Sequence, residues 1–271
     1  SIGFQEEKFS ELKYAREIAE KYGCVHHEQI VEPESIILLP KLIGAFDEPF
    51  ADSSAIPTYY VCKFAREHLK VVLSGDGGDE FFAGYNIYTY LKKIYKTSSS
   101  FPSFNKFFWG NINKLIPENF AGKGTTHMLS QNREHLGAHL SIWSTDKRKK
   151  LIGGGDTFKY SNEPELFKQG LLDKGNGNDF ISNLQYLDIQ TYMTDDVLTK
   201  VDRASMMNSL EVRVPLLDHK FMELSFKIPS KLKLNGNEQK YILRKSLTKY
   251  LPDSILNRPK AGFSIPLSGW F

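Results

Sequence analysis

Ser74-Gly75-Asp76-Gly77-Gly78-Asp79-Glu80, set directly behind the apolar run Lys70-Val71-Val72-Leu73, decides how this chain is read. A short, nearly continuous apolar run is what a strand buried on both faces needs. In open α/β sheets, ligands bind just beyond the carboxyl ends of such strands, where this loop lies. Three glycines within four residues let the backbone come close to a ligand and adopt positive φ. The carboxylates of Asp76, Asp79 and Glu80 would repel a bare phosphate, so an anionic ligand here requires a metal between. Mg²⁺ suits that role, because it is held by one or two carboxylates together with substrate phosphates. Other glycine motifs fail: Glu80 stands where G-x-G-x-x-G needs its last glycine, and the chain has no G-K-[ST]. The carboxylate spacing of an EF-hand is absent as well.

Outward from this loop, helix and strand signals alternate. A helix is predicted within Phe9 to Tyr22, with Leu12, Ala15, Ile18, Ala19 and Tyr22 on one stripe and Gly23 at its C′ position. Cys24 to Val31 reads as a strand, and Glu34 to Phe46 and Ile56 to Leu69 as helices. This alternation predicts βαβ units and an α/β fold, a parallel sheet flanked by helices. Asn183 to Met207 reads as one long helical stretch. Glu238 to Leu251 is a final helix ended by Pro252, so the C-terminal part is mostly helical. Residues 1–96 form the α/β part and 181–271 the helical part. Between them, 97–180 reads as a loop-rich insertion broken at Gly153-Gly154-Gly155 and Gly175-Asn176-Gly177-Asn178.

Composition narrows the class. With 271 residues the chain can bury a full core without staples. Net charge is +3, too small for a polyanion-binding surface, so no nucleic-acid partner is expected. Cys24 and Cys62 form no C-x-x-C pair, which points to a reducing, cytoplasmic setting. No run of 18 apolar residues exists, so no membrane partner is expected either. Ser1-Ile2-Gly3-Phe4 reads as the tail of a strand, and both ends of the chain read as domain boundaries.

Ser74 to Tyr85 (S-G-D-G-G-D-E-F-F-A-G-Y) resembles the signature loop of the asparagine synthetase family, in its C-terminal synthetase domain. The resemblance extends to Ser1–Phe4, His26-His27-Glu28, Asp47 to Thr58, and Asp202-Arg203. It continues through Ser209 to Asp218, Lys240 to Arg244, and Lys260 to Phe263, covering most of 1–90 and 185–271 in order. It implies an adenine nucleotide alpha hydrolase-like fold. The implied activity is ATP-dependent amidation of aspartate: the carboxylate attacks the α-phosphorus, pyrophosphate leaves, and ammonia attacks the β-aspartyl-adenylate. Ile2, Ser74 and Gly75 match nucleotide-contacting positions, and Asp79 matches the carboxylate that holds Mg²⁺ against pyrophosphate. Asp76 matches an acidic position assigned to the second half-reaction, where it would hold or deprotonate ammonia. Asp52, Ser53, Glu211 and Arg213 are substrate-side candidates.

Lys240 matches the catalytic lysine of the family. With Asn237 as cap it would stand at N3 of the last helix, where a cation is disfavoured by ~0.3–1 kcal/mol unless an anion is bound nearby. The family's S-G-G-x-D-S loop is not found in these 271 residues, and neither cysteine lies near the N-terminus to serve as a glutaminase nucleophile. Ammonia would therefore come from a glutaminase domain of the same protein, and the chain alone is expected to be inactive. A homodimer is left open. The alternatives are an adenylating synthetase acting on another carboxylate, as β-lactam synthetases do, and a non-catalytic module that keeps the fold. A nucleic-acid-modifying pyrophosphatase relative is disfavoured by the charge.

Weaker candidates have structural readings. His26 and His27, adjacent in a strand, point to opposite faces and cannot chelate one metal. His135 and His139 have i,i+4 spacing without a third ligand. Cys24 and Cys62 read as buried small hydrophobes. The run Lys147 to Lys150 reads as a solvated face, and Phe101, Phe104, Phe107, Phe108 and Trp109 as core or interface.

Overall fold

The computed structural model describes residues 1–31, 35–100, 103–117, 163–175 and 179–258, with 120, 126, 130, 148, 151 and 262 singly. Gly153–Gly155, Asn176–Asn178, His135, His139 and the Lys260–Phe263 match, apart from Gly262, lie outside the described residues.

The elements are β1 (Ile2–Phe4), α1 (Leu12–Tyr22), β2 (Gln29–Val31), α2 (Ser35–Phe46), α3 (Ala55–Arg66), β3 (Val71–Leu73), α4 (Gly78–Phe81), α5 (Asn86–Ser100) and α6 (Ser103–Leu115). They continue with α7 (Glu163–Lys174), α8 (Phe180–Asp188), a π-helical segment (Ile189–Leu198), α9 (Thr199–Met206) and β4 (Glu211–Arg213). Last come α10 (His219–Lys227), α11 (Ser230–Lys233), α12 (Tyr241–Leu247) and α13 (Asp253–Leu256). The described residues are mostly helical with two small parallel sheets, compatible with the α/β class. Its contacts divide it into two compact units: 1–78 with 191–225 and 241–271, and 79–190 with 226–240.

The first unit holds the four strands found among the described residues. β1 and β2 pair in parallel, Ile2 opposite Gln29 and Phe4 opposite Val31. Parallel pairing demands a crossover, and α1 supplies it. Gly23 ends α1 at φ 61, its N–H closing on the Ala19 and Glu20 carbonyls. That left-handed C′ position is where a residue without Cβ is favoured. Ile2, Phe4, Val31, Leu38, Leu42, Phe46, Ile56, Tyr59 and Ala204 form the core. β3 pairs in parallel with β4, Val71 opposite Glu211 and Leu73 opposite Arg213.

Three expectations are corrected here. β3 is not buried on both faces: Val71 is 41% and Leu73 73% exposed. Val72, which points to the opposite face, is half-buried, and among the described residues β3 has one partner strand, β4. Cys24 is exposed, whereas Cys62 is buried, its thiol pushed up to about 11 by burial. His26 and His27 precede the strand rather than lying in it; His27 instead stacks on His68 with ring centroids 4.1 Å apart.

The second unit packs Ala83, Tyr88, Leu91, Ile94, Ile181, Leu184 and Leu234 into its core. Asp179 caps α8, accepting from the Ile181 and Ser182 N–H groups. Phe107 and Phe108 on α6 are exposed, against the core reading. The Tyr88 hydroxyl, almost fully buried, donates to Asp188 at 2.5 Å. Burial pushes the Asp188 carboxyl up to about 6; Glu80 adds to the shift, while the Tyr88 hydrogen bond and Lys168 oppose it.

A carboxyl raised above its unfolded value of 3.8 binds more protons folded than unfolded between those two values. Stability therefore falls as pH rises through about 6. Asp188→Asn, which can still accept from Tyr88, is expected to melt higher than wild type at pH 7.5, by about 2–3 kcal/mol. The two should converge as pH approaches 4. Thermal melts across that range check this, and a variant less stable at every pH would refute it.

Candidate active site

In the first unit, the β3–β4 ladder continues into the loop, where the Ser74 N–H donates to the Arg213 carbonyl at 2.9 Å. The Ser74 hydroxyl donates to Asp76 Oδ2, and the Asp76 N–H points back at Ser74 Oγ, 3.3 Å away. Gly77 follows at φ 86, a turn geometry that favours glycine. Ser74 and Asp76 thus fix each other at the carboxyl end of β3.

Glu211 and Arg213 do face the same way on β4. Arg213 Nε donates to Glu211 Oε1 at 2.7 Å, and both side chains are exposed. Ile2 is buried in the core beside Phe4 and Val31.

Asp52 and Ser53 line a cavity of about 230 Å³ with Leu39, Leu42, Phe46, Phe50 and Ile56. Asp52 caps the approach to α3 by accepting from the Ser54 N–H at 2.8 Å and hydroxyl at 2.7 Å. Lys200 donates to its Oδ2 at 2.6 Å. Burial pushes the Asp52 carboxyl up, but the bonds from Lys200 and Ser54 outweigh it and hold the carboxyl below its ordinary value. Asp196 lies 3.8 Å from Lys200 Nζ. Burial, then its hydrogen bond with Asp52 and the Asp52 charge, push the Asp196 carboxyl up to about 6. Lys200 opposes that shift without cancelling it. Neither Lys200 nor Asp196 was singled out from the sequence; their i,i+4 spacing was the available signal.

In the second unit, Asp79 sits in the one-turn helix α4, and Lys240 Nζ reaches its Oδ1 at 3.0 Å. Lys240 is not at N3 of a helix: α12 begins at Tyr241, and Lys240 itself is left-handed at φ 51. The reason lies just before it. Asn235 and Glu238 form an antiparallel bridge around Gly236 at φ 60, so the chain is committed to a turn where the helix was expected to start. The Lys240 N–H donates instead to the Phe82 carbonyl at 3.1 Å, and Gln239 Nε2 donates to Asn86 Oδ1 at 2.9 Å.

Gly84 completes this arrangement, and sequence reading missed it. A Cβ there would stand 2.1 Å from Asp79 Oδ1 and 2.2 Å from Lys240 Cε. The ion pair therefore occupies space that only glycine leaves open. No group of three or more His, Cys, Asp or Glu able to hold a metal exists among the described residues. A lone hard carboxylate beside a lysine fits Mg²⁺ bound chiefly through phosphate oxygens, not an all-protein cage.

These features define an α/β protein with an acidic, glycine-rich loop behind a parallel strand and, in its second unit, a lysine–carboxylate pair. The Asparagine synthase family model matches residues 1–271, and the chain belongs to that family. It is 34% identical over its whole length to the glutamine-hydrolyzing asparagine synthetase 1 of Bacillus subtilis. It is 32% identical over its whole length to a putative glutamine-hydrolyzing asparagine synthetase of Mycobacterium tuberculosis. The chain spans 42% and 41% of the length of these relatives. The amidase chyE of Penicillium rubens is 25% identical over 74% of the chain.

Gly84→Ala is expected to keep the fold, because the atoms it meets are ends of flexible side chains. It should drive Lys240 Nζ and Asp79 Oδ1 apart beyond about 4 Å. A crystal structure of the variant checks this, and an undisturbed pair would show that the close approach carries no constraint.

Proposed function

We propose that the full-length protein is an ATP-dependent ligase that amidates aspartate to asparagine, and that this chain carries its synthetase site. Support comes first from the Asp79–Lys240 pair, a carboxylate and a lysine held 3.0 Å apart by backbone bonds on both sides. Membership of the asparagine synthase family supplies the reaction class. An adenine nucleotide alpha hydrolase-like fold belongs to the same reading, with 1–96 as its nucleotide-binding part, 97–180 an insertion and 181–271 completing the site.

In this reading Ser74 and Gly75 contact the nucleotide at the end of β3, and Ile2 contributes through the strand β1. The substrate carboxylate attacks the α-phosphorus, forming the acyl–phosphate bond as the bond to pyrophosphate breaks. Lys240 donates hydrogen bonds to phosphoryl oxygens whose charge grows in the transition state. Asp79 would hold Mg²⁺, which supplies charge neutralisation for the departing pyrophosphate when bound. Once nucleotide and metal are present, Lys240 exchanges its carboxylate partner for phosphate oxygens, a substitution that conserves its charge pairing.

Ammonia then attacks the acyl carbon, AMP leaves, and Asp76 takes the excess proton or holds the ammonia. Asp52 and Ser53 face the amino-acid substrate from the cavity lined by Phe46 and Phe50. Glu211 and Arg213 stand on the substrate side as an ion pair. The two relatives are named as glutamine-hydrolyzing, so the ammonia source is assigned to a glutaminase domain of the same protein. A cytoplasmic setting accords with two free thiols.

The test is pyrophosphate release from ATP by the full-length protein with Mg²⁺ and ammonia, with and without aspartate. Aspartate-dependent release is expected, falling about 10²–10³-fold in Lys240→Ala and recovering partly with excess Mg²⁺ in Asp79→Asn. Release indifferent to aspartate would move the assignment to another carboxylate, and no release would favour a non-catalytic module.

A further inference from the structure

Asp79 belongs to a helix too short to orient itself. The first four N–H and last four C=O groups of any helix lack intrahelical partners, so a four-residue helix such as α4 depends on bonds from outside. Glu80, beside Asp79 and buried, has its backbone carbonyl bonded by Gln185 Nε2 at 2.5 Å. Gln185 is itself fully buried on α8, and its Oε1 accepts from Lys233 Nζ at 3.0 Å. An ammonium can only donate. Lys233 therefore dictates which end of the amide faces it and turns the NH₂ group onto Glu80.

A second contact runs from the same lysine. Lys233 Nζ lies 5.1 Å from the centroid of the Phe226 ring, and Phe226 meets Phe81 edge-on at 6.4 Å. Phe81 is the residue after Glu80 and is completely buried. Lys233 thus reaches α4 twice, through an amide at residue 80 and through a ring at residue 81.

Packing alone does not explain a lysine here. Lys233 is 0% exposed. A buried cation hydrogen-bonded to a neutral amide is costly even with the Asp179 charge acting on it, and apolar residues of like volume often replace such ions without loss. Methionine would fill the space and leave the amide of Gln185 free to turn.

We propose that Lys233 is a positioning residue: through Gln185 and Phe226 it fixes α4, and with it the Asp79 carboxylate against Lys240. This rests on the ligase reading for what Asp79 does once positioned, but not for the positioning itself.

The experiment uses the full-length protein and two variants, Lys233→Met and Gln185→Glu. The glutamate keeps Lys233 paired but has no N–H to give to Glu80, so it breaks the relay at its other link and carries the test if Lys233→Met does not fold. Three quantities are read: melting temperature, amide hydrogen exchange of residues 79–84, and kcat and KM for aspartate-dependent pyrophosphate release. Melting temperature is expected to hold or rise in Lys233→Met, which removes a buried cation, and to fall by a few degrees at most in Gln185→Glu, which leaves the Glu80 carbonyl unpaired. Exchange at 79–84 should quicken at least about tenfold, with other segments unchanged. The kcat should fall about 10–100-fold at nearly constant KM for aspartate.

Wild-type exchange and kcat in both variants would overturn the proposal. So would exchange that quickens throughout 79–190 with a lowered melting temperature, since that marks a general packing role. A wild type that releases no pyrophosphate would refute the ligase reading alone, because the exchange data still decide the positioning role.

Discussion

The bond from the Lys240 N–H to the Phe82 carbonyl is the constraint on which the second unit's site depends. It holds a non-glycine residue in the left-handed region, at a cost of about 1–2 kcal/mol. The ion pair with Asp79 is what that conformation delivers. The same stretch is bound again by Gln239 to Asn86 and, through Gln185, by Lys233 to Glu80. Residues 233–240 and 80–86 are therefore laced by polar contacts at both ends, with Gly84 giving the pair its space.

Such lacing trades stability for a single geometry. Each buried polar group gains about 0.5–1.5 kcal/mol when paired and loses about 1–3 kcal/mol if its partner is removed. The network Lys233–Gln185–Glu80 is thus nearly neutral when complete and damaging when broken. An apolar core could reach equal stability with less at stake. What it could not do is specify the direction of a carbonyl in a one-turn helix, since apolar contacts are non-directional.

Much of this was legible in sequence, for reasons that differ by element. α1, α2 and α3 announced themselves because helix stripes and the Gly23 stop are local signals. The parallel pairing of β1 with β2 followed from strand–helix alternation. Ser74 to Glu80 stood out because glycines and carboxylates at that density have few structural uses. The exposure of β3 was not readable, since burial depends on which elements pack against the strand's faces, a non-local matter. The start of the last helix was misjudged because Asn235–Glu238 closes a turn stronger than any cap at Asn237. Lys233 gave no signal: in a short polar stretch, a lysine committed to a core looks like a solvated one.

Two lysine–carboxylate pairs among the described residues sharpen the point. Lys200 and Asp52 meet at 2.6 Å, with Lys200 on a regular helix. Asp52 is also bound by Ser54, and Asp196 stands by as a second anion. None of Asp52, Asp196 and Lys200 has a positive φ, and the pair holds α9 to the approach of α3. Lys240 and Asp79 meet at 3.0 Å across a left-handed residue and a glycine, with Asp79 on a helix that cannot stand alone. Both pairs neutralise charge. Only the second spends conformational energy to place its partners, and strain that persists in a fold is over-determined by its surroundings. That is the pair whose geometry the polar network laces together.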